Sequence, residues 1–163
     1  MTHETDTQMA ADDERWMRLA LDQAHEAHAR GDWPTGAVIV RNGVLLSAGQ
    51  NRQNTQADPI VHAETDAIHV AAAQHGIDAL RGATLYCTME PCPMCAGALK
   101  LAGVGRVVLA LRHARLRRTD LGSYSFEAFC SMTGFDVALT QDVLTDEDLA
   151  LRLAWGGDAV KPA

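Results

Sequence analysis

The order of elements along the chain predicts an α/β fold, a three-layer α/β/α sandwich around one five-stranded mixed sheet. Three observations carry that expectation. An Asn-Gly pair at 42–43 sits between two apolar β-type runs, and Asn-Gly accepts the positive φ values of a tight hairpin turn. After the hairpin, short strand-like runs alternate with helical stretches. Strands joined through helices tend to be parallel and covered on both faces. The length of 163 residues suits a single core.

Each element has its own signal. Residues 1–11 are polar and acidic and read as a flexible tail, with one domain over 12–163. From Asp12, the residues Trp16, Leu19, Ala20, Ala24 and Ala27 recur at helical spacing, and Gly31 supplies the stop. The hairpin strands are 37–40 and 44–48, and 49–60 is a loop that ends in Asp58-Pro59. A helix follows over 62–75 and stops at Gly76. A strand over 83–89 runs into a helix that opens at a cysteine pair and ends near Gly103. The apolar run 106–111 is a buried strand. The stretch 112–134 is mixed, with a short helix near 124–132. A fifth strand covers 136–140, and Thr145 with Asp148 caps a last helix near 146–155.

Composition narrows the function. Apolar residues make up 47% of the chain and none of its apolar runs approaches the ~18 residues of a membrane span, which argues against a membrane protein. No basic, apolar leader opens the sequence, so the expected location is cytoplasmic. Four cysteines in that setting argue against a disulfide framework. A formal net charge of −7 counts against a nucleic-acid partner, though a local basic patch on an acidic protein is compatible with one.

The stretch "MEPCPMCAG" (89–97) carries the chemistry. Cys92 and Cys95 are three apart at a helix start, so both thiols face one way, and the helix dipole favours thiolate. Pro91 and Pro93 remove N–H groups that a starting helix does not need. A redox pair, half of a structural zinc knuckle and part of a working metal site are the three readings. A knuckle needs a second pair, but Cys87 lies within a strand and Cys130 is isolated, so both read as small buried hydrophobes. His25 and His28, at i and i+3, could close a structural site, yet their helix reads as an ordinary surface helix.

"HAETDAI" (62–68) favours the working site. His62 and Glu64 fall in the first turn of another helix. His-x-Glu alone occurs by chance. Together with Pro-Cys-x-x-Cys downstream, it is the signature of zinc nucleobase deaminases, in which the Glu is not a ligand. His62, Cys92 and Cys95 then offer three ligands to Zn²⁺ and leave one position open, as catalytic sites do. Glu64 is placed to take a proton from water and pass it to the ring nitrogen and the departing amine.

From about Arg15 to Ala110 the chain resembles the cytidine-deaminase-like superfamily, nearest the branch of guanine deaminases and bacterial tRNA wobble adenosine deaminases. The resemblance rests on "PTGAVIV" (34–40), "GQNR" (49–52), "DPIVHAETDAI" (58–68) and "LYCTMEPCPMCAGAL" (85–99). It implies His62, Cys92 and Cys95 as zinc ligands, Glu64 as proton shuttle and Asn51 as a contact to the substrate base. It also implies that the Ala63 N–H meets a ring carbonyl or nitrogen, and that the Glu90 carbonyl receives the leaving amine. Thr35 falls at a pocket position that differs between branches.

Two features lie outside the shared motifs. Arg112, Arg115, Arg117 and Arg118 form either an RNA-contacting cluster or a solvated basic loop, with Tyr124, Phe126 and Phe129 as candidate base-stacking or core aromatics. Asp120 could pair with the amidine edge of a guanine- or pterin-like ring, and Trp155 could cover a small pocket. The expected reaction is hydrolytic deamination of a small-molecule heterocycle, guanine-like first. Deamination of adenosine at the tRNA wobble position is the alternative. A homodimer is expected by analogy.

Overall fold

The computed structural model describes residues 2–118 and 120–156. In chain order the elements are α1 (Thr2–Arg30), β1 (Gly36–Arg41), β2 (Val44–Gln50), α2 (Ala63–His75), β3 (Thr84–Met89), α3 (Pro93–Ala102), β4 (Arg106–Leu111), α4 (Phe126–Thr133), β5 (Ala138–Thr140) and α5 (Thr145–Trp155). The five strands form one mixed sheet in the order β2-β1-β3-β4-β5. β1 is antiparallel to β2 and β3, whereas β3, β4 and β5 run parallel. This is the expected three-layer sandwich.

Strand alternation builds the two interior layers. Ala37, Ile39, Leu85, Cys87, Val107 and Leu109 face one side, where they pack with Ala67 and Ala71 of α2 and with Ala96 and Leu99 of α3. Val38, Val40, Tyr86, Val108 and Ala110 face the other, against Trp16, Met17, Ala20 and Leu21 of α1. A buried polar clamp fixes α1 in place. Asp13 accepts from Tyr86 Oη at 3.0 Å and from Arg106 Nη1 at 2.8 Å. Among the described residues no helix is long and apolar enough to cross a membrane.

Several boundaries differ from the expectation. α1 begins at Thr2 and includes the stretch expected to be a flexible tail. Residues 6–11 are exposed, so the helix extends beyond the core there, with no Gly or Pro to interrupt it and Gln8 donating to Asp12 Oδ1 at 3.2 Å. β5 is only three residues long. Thr145 does not cap α5. Its hydroxyl donates instead to the Ala110 carbonyl at 2.7 Å, tying α5 to the end of β4. The hairpin turn is as read, with Asn42 and Gly43 both at positive φ.

Candidate active site

The site lies where α2 and α3 start, at the C-terminal end of β3. The seating of α2 depends on a missing side chain. Gly49 of β2 lies so close that a Cβ there would stand 2.2 Å from the Ala63 carbonyl oxygen and 2.4 Å from the Ala67 amide nitrogen. The first turn is fastened by Thr65, whose hydroxyl accepts from the His62 N–H at 3.0 Å and donates to the Ile60 carbonyl at 2.7 Å. His62 is the half-buried N-cap, and Glu64 is 3% exposed.

Cys92 is the N-cap of α3 and Pro93 its first residue, so Cys92 and Cys95 share the opening turn. His62 Nδ1 lies 3.6 Å from Cys92 Sγ and 3.5 Å from Cys95 Sγ. A tetrahedral zinc with ordinary Zn–S and Zn–N lengths has an N···S edge of about 3.6 Å, so both of these separations suit that ion. Among the described residues, these three form the one group of this kind within reach of a common ion.

The close approach of these groups shifts their titration in opposite directions. The hydrogen bond from Cys95 brings Cys92 down to about 4; burial opposes the shift and His62 assists it. The same bond, together with burial, holds Cys95 far above the usual thiol range. Burial opposes charge on His62, but its bond to Cys92 and the charges of Glu64 and Cys92 raise its pKa. Burial raises Glu64, against the nearby His62.

A cavity of about 310 Å³ opens over this group. Asn51 lines it at 3% exposure and is fixed on both sides, its Nδ2 donating to Gln53 Oε1 at 2.8 Å and its Oδ1 accepting from the Gln53 N–H at 3.1 Å. Thr35 lines it too, and its hydroxyl accepts from Arg152 Nη2 at 2.7 Å. The Glu90 carboxylate joins three elements beside the cavity. It accepts from Arg112 Nε at 2.9 Å, from the His113 N–H at 2.8 Å and from the Phe126 N–H at 2.8 Å.

The family model for the cytidine and deoxycytidylate deaminase zinc-binding region matches residues 10–111. The chain belongs to that family. A tRNA-specific adenosine deaminase of Bacillus subtilis is 45% identical over 96 residues, which is 59% of this chain and 60% of that relative, less than two thirds of its length. A structure from biochemical and structural studies of A-to-I editing by tRNA:A34 deaminases superposes with a TM-score of 0.74 at 29% identity, covering 84% of this chain and 98% of that one. A protein solved in complex with 2,6-diaminopurine superposes with a TM-score of 0.74 at 25% identity, covering 93% and 84%.

Within this deaminase-family domain, His62, Glu64, Cys92, Asn51, Thr35 and Glu90 all border one cavity, with Cys95 beside it and Ala63 buried between His62 and Glu64. Two expected pocket residues do not. Asp120 is exposed and is captured by Arg118, whose Nε donates to it at 2.9 Å; the arginine borders the cavity instead. Trp155 packs its ring 5.4 Å from that of Trp33, so it backs a cavity residue and does not cover the opening.

The basic cluster is divided: Arg115 and Arg117 are exposed, whereas Arg118 is paired with Asp120 and Arg112 is turned inward. Arg112 is engaged by Glu90, Glu127 and Gln141. Phe126 is fully buried, Phe129 packs against the core and the Tyr124 hydroxyl donates to the Pro91 carbonyl at 2.6 Å, so all three aromatics are structural. Arg152 and His113 border the cavity without any local motif to announce them, because each arrives from a distant segment.

Proposed function

We propose that this chain is a zinc-dependent hydrolytic deaminase that exchanges the exocyclic amino group of a nucleobase for a carbonyl oxygen and releases ammonia, with adenosine in tRNA as the leading substrate. The observation that carries the reaction type is the His62, Cys92 and Cys95 donor set at zinc-like separations beside a buried Glu64. Zinc held there supplies the acidity that makes water a nucleophile near neutral pH. Glu64, raised by burial, is suited both to accept a proton at a carboxylate oxygen and to give it up again to the ring nitrogen and the leaving amine. Asn51, pinned by Gln53, is suited to orient the base through its side-chain amide. The Ala63 N–H and the Glu90 carbonyl remain the proposed contacts to the ring and to the departing amine.

The tRNA adenosine substrate is supported by what the 45% identical relative is named for. A free aminated heterocycle, guanine-like, is the second reading. The net charge of −7 favours it, as does the internal engagement of Arg112, which removes one cation from any RNA-facing surface. Incubation with a tRNA carrying adenosine at the wobble position should yield inosine, and Glu64→Gln should abolish it while retaining zinc. Ammonia released from guanine with no inosine from the tRNA would reverse the order of the two substrates. No turnover of either would overturn both. A homodimer belongs to the same reading and is checked by sedimentation velocity.

A further inference from the structure

His113 occupies the wall of the same cavity, in the short 3-10 turn His113–Leu116 that follows β4. It is 5% exposed, and neither Nδ1 nor Nε2 has a hydrogen-bond partner or appreciable accessible surface in this orientation of the ring. A buried polar group left unpaired costs about 1–3 kcal/mol, so a folded protein carries one where something else is meant to meet it. The backbone of the residue is held in place, and no hydrogen bond fixes the ring. Its N–H donates to Glu90 Oε2 at 2.8 Å, and its ring lies 6.0 Å from that of Tyr124, which is itself anchored to Pro91. The charged groups around it are Glu90, Arg118, Cys92 and Arg152. Burial lowers its pKa, with Glu90 and Cys92 opposing and Arg118 and Arg152 assisting. The ring is therefore neutral at pH 7 and offers one N–H donor and one acceptor lone pair.

We infer that His113 is a substrate-contacting, specificity-setting residue, whose ring turns on the cavity wall to present its unfilled nitrogens to the heteroatoms of an aminated purine bound beside His62, Cys92 and Cys95. This rests on the deaminase reading above. A purine edge suits a neutral imidazole because it alternates acceptors such as N7 with donors such as an exocyclic amine. An apolar ligand would leave both nitrogens unpaired. With Glu64 as the group that moves protons, the contact is expected in affinity rather than in chemistry.

The test compares wild type with His113→Phe and His113→Gln, using guanine and an adenosine-wobble tRNA stem-loop. His113→Phe keeps ring shape and removes the unpaired polar atoms. It should hold zinc at one per chain and keep or raise Tm, while KM for the turned-over substrate rises about 10-fold, the worth of one hydrogen bond, and kcat changes little. His113→Gln, which restores a donor and an acceptor, should recover part of that loss. A fall in Tm with an unchanged KM means a structural histidine and overturns the inference. Binding of both probes to the Glu64→Gln protein, with and without His113→Phe, separates this failure from that of the deaminase reading. If wild type turns over neither probe, yet His113→Phe still weakens binding about 10-fold, the deaminase reading falls and the His113 contact stands. If binding is unaffected, or undetectable in both proteins, the contact falls.

Discussion

Gly49 and Ala63 meet backbone to backbone, and a Cβ on Gly49 would stand 2.2 Å from the Ala63 carbonyl oxygen. That contact sets how deeply α2 sits on the sheet, and so where His62 and Glu64 point. Gly49→Ala must push the helix off its seat, because the obstacle is backbone and cannot rotate away. The expected cost is about 3 kcal/mol or more, with loss of stoichiometric zinc measured by elemental analysis. Gly97→Ala is the matched control. Nothing lies within 4 Å of a Cβ there, and the site is interior to α3. It should gain about 0.5–1 kcal/mol with zinc unchanged. Equal stability losses for the two variants would refute the seating argument.

Glu90 gives the second prediction. Its carboxylate is almost fully buried, and it satisfies Arg112 and two buried backbone N–H groups at once. Those partners hold its pKa below the usual carboxylate range, although burial alone would raise it. Glu90→Ala leaves three donors unpaired and should cost about 3–5 kcal/mol in urea denaturation. Glu90→Gln, which keeps an acceptor oxygen and the shape, should cost clearly less. Arg112 keeps Glu127 and Gln141 in either variant, so the buried N–H groups should account for much of the difference.

What the sequence discloses follows from how local each signal is. The Asn42-Gly43 turn, the cysteines at the start of α3 and the His-x-Glu at the start of α2 depend on neighbours within a few residues, so residue type and spacing reveal them. Gly49, the Glu90 side chain, His113 and Arg152 take their meaning from partners far along the chain. Arg152 reaches Thr35 across 117 positions. No periodicity encodes such a pairing. Asp120 misled for the complementary reason: a short-range partner, Arg118, takes its carboxylate before any ligand could.

Asp148 should show itself in the pH dependence of stability. It is fully buried in α5, and neither of its carboxylate oxygens has a hydrogen bond; Arg152 Nε lies 3.5 Å away. Burial outweighs Arg152 and raises its pKa to about 6. A carboxyl raised on folding binds its proton more tightly in the native state. Its contribution is therefore fully present below the unfolded value of about 3.9 and is lost as pH rises through about 6. The stability of wild type minus that of Asp148→Asn should fall, by on the order of 2–3 kcal/mol, between pH 4 and 7 and then level off. A difference that is flat across this range, or rises, contradicts the assignment.

The cysteines supply the last prediction, because Cys92 and Cys95 lie in the three-donor group and Cys87 lies in the core. Cys87 is fully buried in β3 among Ala37, Leu85 and Leu109, and burial raises its thiol well above the usual range. It should behave as a small apolar side chain. Cys87→Ala should cost about 1 kcal/mol through a small cavity and retain one zinc per chain and full activity. Cys92→Ser and Cys95→Ser each remove a thiolate from the three-donor group and should lose zinc and turnover together. Chelation of wild type should reproduce that loss and lower Tm, since the ion would join the starts of α2 and α3, and added zinc should restore both. Zinc content and Tm, read side by side for the three variants, check the division. A Cys87→Ala protein without metal, or a Cys95→Ser protein with its full complement, would place the ligand set elsewhere.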